Sequence, residues 1–309
     1  MYLRVLGSAA GGGFPQWNCC CYNCSRVRDG SFPGSARSQT QLAISADAAH
    51  WFLIQASPDL RDQISACQAL HPSSATFRAS PIHGVVLTSA ELDAALGLLL
   101  MRESQPLAVY ATASVRMLLV EENLVFGVLR RQSDQIRWQV ISPDRSFELR
   151  TIQNESTGIR CTPVSTGGGY PGYVPPSRAA GLDTPSAVVG LFVEHDGKQI
   201  AFFPGAAAIL PEWLDRMAAC DVVFFDGTFW SDDELIRIQT GAKTARQMGH
   251  LPVADTGGSL DQLASLKGPR KIYIHINNTN PMLDEGSTEF NRIRTAGWEL
   301  ATDGMALTL

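Results

Sequence analysis

The chain has 309 residues, a formal net charge of −5 at pH 7, 45% hydrophobic residues and 18% charged ones. That length can bury a sizeable core, while the acidic balance and the absence of a basic tract argue against a nucleic-acid partner. No run approaches the roughly 20 apolar residues of a membrane-spanning helix, so membrane insertion is not expected.

The first element, "YLRVL" at 2–6, reads as a β-strand, because too few apolar residues follow it for a signal peptide. A cytoplasmic chain is therefore expected, with its thiols kept reduced. "GSAAGGG" at 7–13 reads as a glycine-rich turn, since it lacks the lysine of a phosphate loop. The next stretch, "GFPQWNCCCYNC" at 13–24, holds four of the seven cysteines. Cys19, Cys21 and Cys24 form a C-x-C-x-x-C array whose thiolates can converge on one Zn²⁺ and then need one distant ligand. A structural zinc pinning the N-terminal loop and a catalytic or redox centre both fit that spacing. Cys20 should point away, and Cys67, Cys161 and Cys220, in apolar stretches, should be core residues.

Strands are expected at 40–45 and 50–56, followed by a helix over 57–70 with Pro58 at its start. A strand at 82–88 leads to an Ala/Leu-rich helix over 89–104. Further strands are expected at 107–112, 137–141, 146–150 and 159–164, then a loose Gly/Pro-rich loop at 165–185. Strands at 187–195 and 198–205 flank Asp196-Gly197, a hairpin signal. The remaining expectations are a helix at 211–219, a strand at 220–227, a helix at 259–268 ending in Lys-Gly, a strand at 270–277 and a helix at 287–297.

Two rough halves, each with several strands followed by helices, suit a single α/β domain over 1–309. Its architecture would be an αββα four-layer sandwich. A doubly wound sheet would need stricter β-α alternation than 137–164 allows.

Five residues stand at strand ends or helix starts: Asp59, Asp93, Asp226, His250 and His275. Neutral imidazoles and carboxylates suit Fe(II), Mn²⁺ or Zn²⁺. Asp59 also fits an acidic helix start that complements the dipole. His275 opens the amide-rich run "HINNTN", which suggests a polar pocket.

The segments "VLGSAAGGGFPQWNCCCYNC", "ASPDLR", "GLLLMRE", "MGHLPV" and "HINNTNPMLDE" resemble the pyrroloquinoline quinone (PQQ) biosynthesis B family almost end to end. The resemblance implies a metallo-β-lactamase-like fold and a cytoplasmic role in making PQQ. It implies metal-dependent, iron-using hydroxylation of the tyrosine ring in a Glu–Tyr-derived precursor; the alternative is a carrier for PQQ or its precursor toward the periplasm. A related phosphodiesterase holds a structural zinc on a matching cysteine array, which favours that role for Cys19, Cys21 and Cys24. The superfamily's H-x-H-x-D-H motif falls on "SAELDA", so that Ser89 and Glu91 stand at the first two His positions and only Asp93 is kept. Family members commonly retain a His after that Asp, and Ala94 stands there in this chain. The two-zinc hydrolase set is thus incomplete. The expected arrangement is Fe(II) on Asp93 and His275, with Asp226 and His250 as catalytic partners or further ligands. Arg102, Asn277 and Asn280 are expected to bind the small-molecule or dipeptide-like precursor, with Arg102 clamping a carboxylate.

Overall fold

The computed structural model describes residues 1–72, 77–103, 105–130 and 135–309. The first half runs β1 (Tyr2–Gly7), α1 (Tyr22–Asp29), β2 (Gln41–Ser45), β3 (Trp51–Ile54), α2 (Leu60–Ala66), β4 (Ile82–Val86), α3 (Leu92–Ala95), β5 (Leu107–Thr112), α4 (Ala113–Val120) and β6 (Ile136–Ile141). The second half runs β7 (Phe147–Arg150), β8 (Ser156–Ser165), α5 (Pro176–Ala179), β9 (Val189–His195), β10 (Lys198–Phe203), α6 (Pro211–Ala218), β11 (Val222–Asp226), α7 (Ser259–Gln262), β12 (Arg270–Ile274), α8 (Thr288–Thr295), β13 (Trp298–Leu300) and β14 (Ala306–Thr308).

Two seven-stranded sheets form, in the orders β14-β1-β2-β3-β4-β5-β6 and β13-β12-β11-β10-β9-β8-β7. Each has an antiparallel part and a parallel part; β3 to β6 and β10 to β13 are the parallel runs. Alternation along each strand sends side chains to opposite faces. Phe202, Phe224, Ile272 and Ile274 meet Leu42, Ile44 and Phe52 between the sheets. Their neighbours Phe203, Phe225 and Tyr273 face outward onto α6 and α8, through Trp213, Met217 and Ile293. Ala43, Leu53 and Val85 face the opposite outer layer, with Leu60, Val115 and Leu118. Both faces of both sheets are therefore covered, which is the four-layer αββα sandwich.

Several elements differ from the sequence expectation. The helix expected over 89–104 is one α turn followed by a 3₁₀ segment, Leu96–Met101; Ser104 lies outside the described residues. The ladder breaks because its backbone bonds go elsewhere: Ala56 N donates to Ala94 O, and Gly97 N donates to Ala56 O. A side chain at Gly97 would lie 2.2 Å from the Ser57 carbonyl, so only glycine permits this approach. The helix expected over 57–70 contracts to Leu60–Ala66, and that over 259–268 to Ser259–Gln262. Asp59 precedes α2 without capping it; its Oδ2 accepts from Gln39 N at 2.8 Å and Gln39 Nε2 at 3.1 Å. The helices α1 and α4 and the short strands β13 and β14 have no counterpart in the sequence reading.

The parallel strands aim their C-terminal ends at one crevice, the usual place for a site on layered α/β sheets. Asp93 follows β4, Asp226 ends β11, and His275 follows β12. Ala9, after β1, bridges to both Gln39 and Ile276, which ties the glycine-rich turn to the crevice.

Candidate functional site

Two groups of metal-capable side chains occur among the described residues: Cys19, Cys21 and Cys24, and Asp226, His250 and His275.

The cysteine group is built locally. Cys21 is the N-cap of α1, and its Sγ accepts from Cys24 N at 3.5 Å. Capping directs the two sulfurs to the same end of the helix, where Cys19 Sγ accepts from Cys21 N at 3.4 Å. Cys20 is exposed and outside the group. Across the three sulfurs lies the Asn278 amide, with Nδ2 at 3.1, 3.6 and 3.3 Å from Cys19, Cys21 and Cys24. An amide within 3.6 Å of all three sulfurs stands where a fourth ligand would be needed. The same amide turned about its axis presents Oδ1, since the two ends are assigned by their partners. Asn23 fixes the approach: its Nδ2 donates to the Asn278 and Asn280 carbonyls at 3.1 and 3.0 Å. Burial and the neighbouring sulfurs push the Cys21 thiol up to about 12, while backbone and side-chain hydrogen bonds outweigh burial to hold Cys19 below its ordinary value. A cation among the sulfurs would favour their thiolate forms. This donor set therefore fits a closed tetrahedral Zn²⁺ site.

The second group is assembled from distant segments around one hydroxyl. Thr228, two residues past β11, donates from both N (3.0 Å) and Oγ1 (2.6 Å) to Asp226 Oδ1. Asp226 Oδ2 accepts from Ala206 N at 3.0 Å and pairs with His250 Nδ1 at 2.7 Å. Thr228 Oγ1 also lies 2.8 Å from His275 Nδ1 and 3.1 Å from His250 Nδ1. With Oγ1 donating to Asp226, the consistent assignment puts a proton on each Nδ1: His250 donates to Asp226 and His275 to Thr228. His250 Nε2 is then a lone-pair donor, as in metal-ligating histidines, whereas His275 Nε2 is engaged by the Asp93 carboxylate. The rings stack 5.4 Å apart at 21°. His275 Nε2 meets Asp93 Oδ2 at 3.0 Å. His275 has φ +59, a left-handed backbone uncommon for a non-glycine residue, and this turns its ring off the strand into the crevice. Gly11 backs Asp93; a side chain there would meet Asp93 Oδ2 at 3.4 Å.

Asp226 is wholly buried, and it stays ionised despite that burial because His250, His275 and Thr228 hold its carboxyl below the ordinary range. Burial likewise opposes Asp93, and the His275 bond outweighs it. For His250 burial disfavours the charged ring, but Asp226, Asp93 and Glu91 together hold its pKa above the ordinary value. Asp226, His250 and His275 hold ligand atoms within 4.8 Å of one another, and Asp93 adds a carboxylate at His275; imidazoles and carboxylates of this kind fit Fe(II), Mn²⁺ or Zn²⁺.

The expected precursor-binding residues are placed differently from one another. Asn277 Nδ2 donates to Thr279 Oγ1 at 2.5 Å, and its backbone N donates to Thr228 O. Asn280 is fully buried, with its amide spent on the Gly227 and Thr228 carbonyls and Met282 N, so it shapes the wall and faces no ligand. Arg102 follows the 3₁₀ segment after α3, half-exposed, donating to Leu99 O at 3.2 Å and pairing with Glu103 at 3.6 Å. Three residues escaped the sequence reading. Thr228 carries no chemical signature in "DGTF". Glu234 is buried behind the 275–280 loop, bonded to Thr279 Oγ1 and Trp230 N. Tyr173, from the Gly/Pro-rich loop, donates to Ala90 O at 2.6 Å and covers the "SAELDA" turn.

The Beta-lactamase superfamily domain matches residues 50–276. Over 312 residues the chain is 41% identical to "Coenzyme PQQ synthesis protein B" of Gluconacetobacter diazotrophicus, with 99% of each chain covered. It is 41% identical to the Nitrosococcus oceani protein of the same description, covering both completely. Among solved structures, Zn²⁺-bound PqqB from Methylobacterium extorquens superposes with a TM-score of 0.91 at 39% identity, over 100% of both chains. A diphosphatase of the PhnP family shares the fold alone, with a TM-score of 0.66 at 19% identity over 100% of this chain and 97% of that one.

Proposed function

The chain belongs to the coenzyme PQQ synthesis protein B family, whose role is in making that cofactor, and we propose that it is the iron-dependent enzyme hydroxylating the tyrosine ring of a Glu–Tyr-derived precursor. The observation that carries this reading is the open set of Asp93, His275 and His250, one carboxylate and two imidazoles at a crevice. In this reading Asp93 Oδ2 and His275 Nε2 hold the ion, with His250 as a further ligand or proton donor. An Fe(II) ion bound there would supply the reduction of dioxygen by which a ring C–H becomes C–OH. The second oxygen atom leaves as water, with electrons from an external reductant.

The protein's own groups do the rest. Thr228 and Asp226 engage both Nδ1 atoms, which leaves each Nε2 for an ion or a proton. His250, kept basic by Asp226, can pass a proton to a developing hydroxyl and regain one. The glycine turn at Gly11 leaves room beside the Asp93 carboxylate, where a side chain would press on it. The cysteine site serves as a zinc staple closed by Asn278, consistent with the Zn²⁺ in the Methylobacterium relative. In this reading the reaction takes place in the cytoplasm; separately, no described helix is long and apolar enough to cross a membrane.

The test is anaerobic Fe(II) loading, then dioxygen, a reductant and the Glu–Tyr precursor, with products read by mass spectrometry. One added oxygen atom per turnover is expected. Tight binding of precursor or PQQ with no oxygenated product would overturn the enzyme reading in favour of a carrier.

A further inference from the structure

The loop after β12 sends neighbouring side chains to different partners. Asn278 reaches the three sulfurs. The residues on either side of it, Asn277 and Thr279, turn instead toward Glu234. Asn277 Nδ2 donates to Thr279 Oγ1 at 2.5 Å, and Thr279 Oγ1 donates to Glu234 Oε1. Glu234 Oε2 accepts from Trp230 N at 2.6 Å. The segment carrying Glu234 is itself anchored, since Ala254 N donates to Trp230 O at 2.9 Å and Asp232 N to Asp255 Oδ2 at 2.7 Å. Glu234 is only 9% exposed, and its two oxygens meet an N–H and a hydroxyl rather than a cation. Burying a carboxylate in this way is costly, and the bonds it makes in return fasten the loop that carries Asn278.

We infer that Glu234 is a positioning residue for the cysteine site: through Thr279 it fixes the rotation of the loop that aims the Asn278 amide at the sulfurs. Asn23 grips the same loop by its backbone, at the Asn278 and Asn280 carbonyls. Those bonds fix where the loop lies; the Glu234–Thr279–Asn277 chain fixes which side chains it turns toward the cysteines. Partners that orient a metal ligand are worth about 10–100-fold in metal affinity. This inference rests on the reading of Cys19, Cys21, Cys24 and Asn278 as a metal site.

The experiment expresses the full chain in Co²⁺-supplemented medium, so that Co²⁺ stands in for zinc. The sulfur-to-cobalt charge-transfer absorption then reads the cysteine site alone, because the crevice has no sulfur donor. Thr279→Val keeps the side-chain shape and removes the hydroxyl. It should weaken Co²⁺ retention against a chelator by about tenfold and shift the ligand-field bands as water replaces Asn278, with circular dichroism unchanged. Thr279→Ser, which keeps the hydroxyl, should stay within about twofold of wild type. Glu234→Gln cannot accept from both Trp230 N and the Thr279 hydroxyl, so it should also weaken retention, and adding Thr279→Val to it should cost less than about twofold more. Retention by Thr279→Val within twofold of wild type, equal losses in Thr279→Ser and Thr279→Val, or additive losses in the double variant would each overturn the role of Glu234 and leave the metal reading standing. No charge-transfer absorption from the wild-type chain would overturn both.

Discussion

The cysteine site and the histidine crevice lie on opposite sides of the same loop after β12, yet they are built in opposite ways. The first takes three donors from six consecutive residues and one from across the fold, at Asn278. In the zinc reading it is closed, with every vertex filled by protein. The second joins Asp93 to His275 across 182 positions, and it opens to solvent. Local, closed geometry suits a part that holds the fold together, because it forms as soon as its ion binds. Distant, open geometry suits chemistry, because it exists only once both sheets have packed.

The sharpest way to break this contrast is at the cysteines. Cys21→Ser should lose about one zinc by elemental analysis and lower the melting temperature by about 10 °C or more. Retention of full zinc content would remove the structural role. Asp226→Asn probes the crevice: it leaves His250 without its buried anion and should cost about 3–5 kcal/mol in urea unfolding, with cysteine-site zinc retained. Loss of that zinc would show that the two sites are not separate constructions.

Glu234 tests the wall between them. Burial pushes its carboxyl up to about 7 from an ordinary 4.5. As pH rises the unfolded chain ionises first, so its contribution to stability is whole below about pH 4.5 and is lost by about pH 7. Glu234→Gln should flatten that part of the stability–pH curve, by at most about 3 kcal/mol, measured by denaturant unfolding at each pH. An unchanged curve would remove Glu234 as its cause. Arg102 lies apart from both metal groups, paired with Glu103. Arg102→Ala should change stability by less than about 0.5 kcal/mol; calorimetric binding of the precursor then decides whether this guanidinium clamps it.

Much of the sandwich is legible because apolar strands of four or more residues announce themselves, as "CDVVFFDG" and "RKIYIHIN" do. The strands β13 and β14 escaped because each has three residues, and the β14 partner is β1, at the far end of the chain. Helix α4 follows β5 with no intervening loop, so its start is hidden in a continuous apolar run. In the crevice, Asp93, Asp226, His250 and His275 were visible as reactive residue types at strand ends and in a Gly/Pro-bounded loop. Thr228, which fixes their protons, was not. A hydroxyl becomes informative only when folding surrounds it with two imidazoles and a carboxylate.

His275 and Asn278 are three residues apart on one short loop, one turned to each site. An ion at either site would therefore act on the same few backbone angles, including the left-handed one at His275. Thermodynamic reciprocity then fixes a relation between two affinities. Whatever factor zinc at the cysteines contributes to cation binding in the crevice, a crevice cation must return to zinc unchanged.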